Sequence, residues 1–499
     1  MGMTHLVVSF SNHWPLTLAN ELEYVTQKLN AGENVHVLSC NGGLEYCRYK
    51  VYDDDRTVCD CCIHRRTAVY RHFLSNPRFK LLPLQIESID PTAKAWTTTD
   101  VEQLVVDGIP IGTGCLSSLI YEHRNIDFDA ELPAKISRYI ATATQVVLST
   151  KKFLSNAHSY DVALLFNGRF CEEYTARQVF MQHNISYVTH ENTSSGLVQF
   201  FFNETPQMIG AWQKKIKLYN EKVQIDSKLG QIGHEFFQKR KNGAFTNDTV
   251  YITSDYMPFK MPDLAFGRRI ISIFNSSEDE IRFTDFAYQY SNSFISTQYE
   301  GIKLIVDKYR NDVSTIVIIR IHPNLATGNP NEVKNIESLE GNNIFVISPN
   351  DKISSYSVLE NSHVVVSMLS TIGIESTYWG VPSISLLPCA YTVIDGTHLV
   401  ESAEQLFKLI EDPNLKSKDK SAAIAYGAMM MSDGDIFEHV AGQFPELYFK
   451  GERLLDFGTF RLESKWYVLL CRYGMSFALA QLFTRPLRIL GKVKMFFRG

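Results

Sequence analysis

The chain has no marked excess of either charge: of its 499 residues, 49 are Lys or Arg and 54 are Asp or Glu. That balance excludes a polyanion-binding surface as its organising feature, so nucleic acid is not expected as a partner. Charged residues make up only 21%, too few for a chain held open by self-repulsion, and 45% apolar content at this length fills at least two cores. The opening MGMTHLVVSF lacks the basic and long apolar regions of a secretory signal, and nine cysteines cannot all pair within one chain. Both absences predict a reducing, cytoplasmic setting without a disulfide framework. An apolar span of about twenty residues is missing too. The best approach to one, WYVLLCRYGMSFALAQLF at 466–483, is broken by Arg472. From Lys465 onward there are seven Lys or Arg and no acidic residue. This mixture of apolar, aromatic and basic residues predicts an amphipathic helical tail on an anionic membrane surface, at the inner face of the cytoplasmic membrane.

What is present reads as alternating strands and helices. An apolar run at Leu6–Val8 is followed by Leu18, Leu22, Val25 and Leu29 at helical spacing, then by a second apolar run, Val35–Leu38. The pattern recurs at DVALLF (161–166) and ISYV (185–188), and again from RRIISIF (268–274) through GVPSISLLP (380–388). The expected class is α/β, with two doubly wound, Rossmann-like domains facing a cleft. Residues 1–242 form the first domain and 243–430 the second, with return helices over 431–465 and the basic tail over 466–499.

The densest site chemistry lies in the second half. Arg320, His322 and Pro323 end one strand, and Ser370, Thr371 and Glu375 sit in an S-T-x-G-x-E segment that opens a helix after another. Hydroxyls and free amides at a helix start suit a phosphate, Glu375 one turn on suits ribose hydroxyls, and Arg320 and His322 add donors. Asn275 and Ser276 end a neighbouring strand and are weaker candidates for the same ligand. R-x-H-P, then S-T-x-G-x-E, then Gly380-Val381-Pro382 resembles the donor half of GT-B glycosyltransferases. It is most similar to those of bacterial capsule and lipopolysaccharide biosynthesis, including the Kdo and sialic acid transferases that use CMP-sugars. The resemblance implies a nucleotide-sugar donor, a CMP-sugar ahead of a UDP- or GDP-sugar, held by His322, Pro323, Ser370 and Thr371, with no catalytic metal.

In the first half, His13, Asn167-Gly168-Arg169 and His190-Glu191-Asn192 each follow a strand. Sugar transfer needs a base for the acceptor hydroxyl and support for the leaving phosphate. His13 or Glu191 fits the base, and Arg169 an acceptor phosphate or carboxylate. The expected acceptor is a glycan or lipid-linked glycan. N-G-R with a later acidic residue and an early cysteine cluster is also similar to surface-polysaccharide proteins. Two other readings share these features: a nucleotide-sugar 2-epimerase, and a non-catalytic scaffold. Asp53-Asp54-Asp55 contains the D-x-D of manganese-dependent GT-A enzymes, which the two-domain pattern disfavours.

Five of the nine cysteines lie between Cys40 and Cys62. Cys40, Cys47, Cys59 and Cys62 offer four thiolates for a closed structural zinc site, an iron–sulfur cluster being the alternative ligand and free thiols the third state. Four cysteine ligands leave no open position, so such a site would clamp a loop rather than catalyse.

Overall fold

The computed structural model describes residues 2–456, apart from 11–13, 52–54, 93, 127, 129–130, 157–158, 194–195, 244–255, 262–264, 286–292 and 442–445. His13, Asp53, Asp54 and the basic tail at 466–499 lie outside the described residues.

Two six-stranded sheets organise the chain. The first contains β1 (Thr4–Ser9), β2 (Asn34–Ser39), β3 (Phe79–Pro83), β6 (Val162–Phe166), β7 (Ser186–Asn192) and β8 (Val198–Phe202), in the order β3-β2-β1-β6-β7-β8. Its pairings are parallel except β7 with β8, which runs antiparallel at the edge. The second contains β9 (Arg269–Phe274), β10 (Thr315–Arg320), β11 (Ile344–Ile347), β12 (Val364–Ser367), β13 (Ser383–Ser385) and β14 (His398–Leu399), in the order β11-β10-β9-β12-β13-β14, all parallel. In both, the winding reverses beside the first strand, between β1 and β6 and between β9 and β12. Loops at the carboxyl ends diverge there and leave a crevice. The class is therefore the expected one, α/β with two doubly wound sheets in a GT-B-like arrangement.

Strand interiors are fully buried because each sheet is covered on both faces, which is why they read as unbroken apolar runs. Leu18, Leu22, Val25 and Leu29 of the helix Pro15–Asn30 pack with Val7, Val35 and Val37 on one face of the first sheet. A two-stranded ribbon, β4 (Val105–Val106) with β5 (Ile109–Pro110), precedes the helix Gly112–His123.

The division between the halves differs from the expected one in two places. The helices Ile209–Ile225 and Ser227–Lys241, assigned by sequence to the first domain, pack against the second: Ile216, Phe236 and Phe237 share a core with Ile374, Tyr378, Ala423 and Met429. Phe237 stacks on Tyr378 at 4.1 Å. The helix Ser227–Lys241 approaches Lys420–Ser432 so closely that a Cβ on Gly233 would lie 2.2 Å from the Ile424 carbonyl oxygen. The packing boundary thus lies just after β8, not near Asn242. Over the region of the expected return helices, the chain instead forms three short antiparallel strands, β15 (Val440–Ala441), β16 (Glu446–Phe449) and β17 (Glu452–Asp456). Val440, Leu447, Phe449 and Leu454 complete the core of the first half. Glu23 fixes this return by accepting the backbone N–H groups of Glu438, His439 and Val440 at 2.9–3.1 Å. The two crossings lie side by side, since Val198 and Asp435 exchange backbone hydrogen bonds of 3.1 and 2.8 Å and Asp433 receives both Gln199 and Lys215.

Candidate functional site

A cleft of about 450 Å³ lies between the halves. The first half contributes Tyr121, Arg124 and Arg169, the crossing segment Pro206, Gln207, Ile209 and Trp212, and the second half Ser276, Glu280, Leu369 and Cys389 among others. Ser276 and Leu369 follow β9 and β12, the two strands flanking the switch point of the second sheet, so the cleft opens where this topology places ligands. Leu369 has φ of +59°, a left-handed backbone that costs a branched side chain free energy and that recurs where loops are held for binding. It directly precedes Ser370 and Thr371.

The motif residues of the second half lie at the ends of β10 and β12, on either side of β9, and most already have protein partners. Thr371 directly precedes the helix Ile372–Trp379 without a side-chain cap, and its hydroxyl donates to Glu375 Oε1 at 2.9 Å. Arg240 donates to the same oxygen at 3.1 Å and to Thr371 Oγ1 at 3.3 Å, while the Tyr356 hydroxyl donates to Glu375 Oε2. Glu375 is fully buried by these contacts, so it braces the loop from behind rather than facing a ribose. Gly373 is set by close approach, because a Cβ there would lie 2.4 Å from Ser367 Oγ. Arg320 is also buried, and its guanidinium donates to the carbonyls of Ser348 (2.6 Å) and Asp351 (3.2 Å). Ser370 is buried beside the cleft, with its carbonyl accepting the Tyr391 hydroxyl at 2.8 Å.

His322 and Pro323 open a short 3-10 turn after β10. His322 Nδ1 accepts the Asn324 N–H at 3.2 Å, and its backbone N–H donates to Asn275 Oδ1 at 3.1 Å. Burial, helped by the nearby Arg320 charge, lowers its pKa to about 4. The imidazole is therefore neutral at pH 7, and with Nδ1 accepting, Nε2 carries the proton. His322 offers a hydrogen bond, not a charge.

In the first half the structure brings Arg169 and Glu191 near the cleft by different routes. Arg169 is buried, and its three nitrogens donate to Ser117 Oγ (3.1 Å) and to the backbone carbonyls of Glu280 (3.1 Å) and Asp279 (3.3 Å). It is a brace between the halves rather than the free anion receptor expected. Glu191 is half-buried, and burial raises its pKa. Asn167, held at φ of +51°, donates to Glu191 Oε2 and accepts from Gln207 Nε2 at 2.8 Å, which links the carboxylate to the cleft wall.

Sequence reasoning passed over a buried acidic cluster at the same edge. Glu172 and Glu173 open the helix Cys171–Gln182, Arg48 reaches Glu173 at 3.3 Å, and Glu21 accepts from Ser9 and from Tyr70 at 2.9 Å. Burial lifts Glu21 to about 8, and burial with the Glu173 charge lifts Glu172 to about 7. The acidic doublet Glu172-Glu173, which begins three residues after Arg169, was the available signal. Arg124, which pairs with Asp279 at 2.6 Å across the halves, had none.

The cysteines meet at the junction of the loop after β2 with the helix Asp55–Tyr70. Arg66 of that helix donates to the Cys40 carbonyl and to Asn41 Oδ1 (3.1 Å), and a Cβ on Gly42 would lie 3.2 Å from Cys59 Cβ. Burial raises the pKa of Cys40 and Cys47, and for Cys47 the neighbouring Glu172, Cys62 and Cys40 add to it. Cys40, Cys47, Cys59 and Cys62 form no disulfide, and among the described residues no three His, Cys, Asp or Glu side chains form a metal-holding group.

No family model matches the sequence, and no curated protein matches it. Among solved structures the chain is similar to a UDP-GlcNAc 2-epimerase from Neisseria meningitidis bound to UDP-GlcNAc, at 12% identity over 86% of this chain and 98% of that one, with a TM-score of 0.26. It is also similar to the Thermosulfurimonas dismutans KpsC β-Kdo 2,4 transferase (10%, 54% and 79%, TM-score 0.36) and to Acinetobacter baumannii MurG (9%, 88% and 98%, TM-score 0.25). At such identities a likeness concerns the fold alone, and the strand orders above carry that assignment by themselves.

Proposed function

We propose that this chain is a glycosyltransferase that moves a sugar from a CMP-, UDP- or GDP-linked donor to a surface polysaccharide or lipid-linked glycan. The observation carrying this reading is the cleft itself. It is walled by both halves, opens at the carboxyl ends of β9 and β12, and is lined by the strained Leu369, which directly precedes Ser370 and Thr371. Such a crevice suits a ligand with one end on the second sheet and the reacting end toward the first. In this reading Ser276, Ser370 and the Nε2–H of His322 bind the phosphate side. Arg240 and Glu375 position the loop, and Arg320 and Arg169 hold neighbouring loops in place.

Glu191 is the favoured base. Its raised pKa moves it toward neutrality, where a carboxylate is a better proton acceptor, and its bond from Asn167 orients it. The four cysteines are proposed to bind zinc when the loop after β2 closes on its helix, a clamp outside the reaction. The basic tail is proposed to hold the chain at the membrane where such acceptors are found.

The test is release of nucleotide from a panel of activated sugars, measured with and without acceptor glycan. Acceptor-dependent release supports transfer. Release that needs no acceptor points to epimerase-type chemistry, and no release from any donor defeats the reading. Metal analysis of purified protein checks the clamp, with an expected stoichiometry near one zinc that is lost on replacing Cys47 and Cys62.

A further inference from the structure

Resting on that reading, we infer that the turn at 277–280 is a strap through which contact between the halves sets Ser276 and His322 for the donor phosphate, with Asp279 and Glu280 as its positioning residues. The turn lies just after β9 and so belongs to the second half, yet the first half grips it. Arg124 Nη1 donates to Asp279 Oδ2 at 2.6 Å, and Arg169 donates to the backbone carbonyls of Asp279 (3.3 Å) and Glu280 (3.1 Å). Further along the same segment Arg177 takes both oxygens of Asp285, at 3.0 and 3.2 Å. Asp279 is buried, and a desolvated carboxylate needs a cation. Among the described residues its other side-chain donor is the Ser277 hydroxyl, so the cation it depends on comes from the opposite half. Arg124 itself ends the helix Gly112–His123 at φ of +52°, a left-handed backbone that favours glycine, so an arginine is kept there against its conformational preference.

Inward, the same turn reaches both phosphate-side candidates. Glu278 Oε1 accepts the Gln298 N–H at 2.6 Å, and Gln298 Oε1 accepts the Ser276 N–H at 2.7 Å. Glu280 Oε1 accepts from Asn324 Nδ2 at 3.1 Å, and the Asn324 N–H donates to His322 Nδ1 at 3.2 Å, the bond that leaves the ring proton on Nε2. Asn275 joins the two branches: its Oδ1 takes the His322 N–H at 3.1 Å, and its Nδ2 donates to the Ser276 carbonyl at 2.9 Å. Hydrogen bonds are directional, so withdrawal of Arg124 and Arg169 would loosen the turn and, through Asn324, the aim of the His322 Nε2–H. Nucleotide affinity is thereby coupled to engagement of the halves, a kind of coupling that amounts to about 5- to 150-fold.

The experiment is a double-mutant cycle on the full chain, with UDP, GDP and CMP as calorimetric probes and the tightest of the three carried through. Arg124→Gly and Asn324→Ala are made singly and together. Glycine suits the left-handed position, so Arg124→Gly is expected to keep the denaturation midpoint near that of the parent while weakening nucleotide binding about tenfold. The double variant is expected to bind no more weakly than the weaker single one, because both changes break one chain of bonds. Glu280→Gln keeps the accepting oxygen and is expected to bind within about twofold of the parent, whereas Glu280→Leu falls about tenfold. A nitrogen–proton correlation spectrum of the His322 ring is the second readout. The parent should show a neutral ring protonated at Nε2, and Arg124→Gly should shift or broaden that signal. Losses that add in the double variant overturn the inference while leaving the glycosyltransferase reading intact, as does an Arg124→Gly protein that binds nucleotide like the parent. An unmoved His322 signal overturns it too. If the parent binds none of the three nucleotides, the glycosyltransferase reading falls and the spectrum alone decides: a signal moved by Arg124→Gly supports the strap, and an unmoved one defeats it.

Discussion

The two halves share one strand order and differ at the edge where ligands bind. In the second half the Glu375 carboxylate is filled by Thr371, Arg240 and Tyr356, and Arg320 gives its two terminal nitrogens to carbonyls while its buried Nε has no hydrogen-bond partner. In the first half, buried polar atoms at the equivalent edge lack partners, among them Glu21 Oε1, Glu172 Oε2 and His190 Nε2. A carboxylate whose two oxygens are filled by donors holds a shape, whereas a buried carboxyl group with a raised pKa and an unfilled oxygen, as at Glu21 and Glu172, can exchange a proton. The contrast is between a braced carboxylate, Glu375, in the second half and titratable carboxyl groups, Glu21 and Glu172, in the first.

The strongest way to break that contrast is Arg240→Ala. It leaves the buried Glu375 carboxylate without its cation and should cost about 3–5 kcal/mol, read as a lowered midpoint in denaturant. A loss below about 1 kcal/mol would show that the second edge is not held by this pair. A smaller and pH-dependent effect is expected for Glu21→Gln. Its carboxyl group has a folded pKa raised by burial from 4.5 to about 8, so the stability it contributes is fully present below pH 4.5 and is lost as pH rises through 8. The variant should therefore show a thermal midpoint that falls less between pH 5 and pH 8 than that of the parent; parallel curves would remove Glu21 from the proton-exchanging edge. The smallest effect belongs to Arg124→Gln. This pair between the halves is partly exposed on the arginine side, so about 1 kcal/mol and a dependence on salt are expected, and a salt-independent loss would contradict a screened ion pair.

Local periodicity made the fold legible. Leu18, Leu22, Val25 and Leu29 face one core as their spacing requires, and S-T-x-G-x-E starts a helix after a strand as read. What failed were inferences needing knowledge of what a residue meets. The helices at 209–241 look polar in sequence, yet Phe236 and Phe237 find their partners at residues 374–429. The strands β15, β16 and β17 return to the first half where Glu23, more than four hundred residues earlier in the chain, receives the amides of His439 and Val440. The strand-end positions of the candidate residues were legible, and the partners that hold them were not. Arg169, Arg320 and Glu375 sit at strand ends or on the helix after one, but only the fold reveals that backbone carbonyls and a distant arginine already occupy them.

The side-by-side crossings at Val198 and Asp435 make the architecture an interruption rather than a tandem. The second half is one continuous piece, threaded into a first half that resumes only after it. Cutting the chain at the sequence-predicted boundary would therefore strip the first half of β15, β16 and β17 and would sever the helices Ile209–Ile225 and Ser227–Lys241 from the layer they complete. An excised unit should instead run from the end of β8 to the helix ending at Ser432, and the remaining ends, already paired with each other, could be rejoined by a short link.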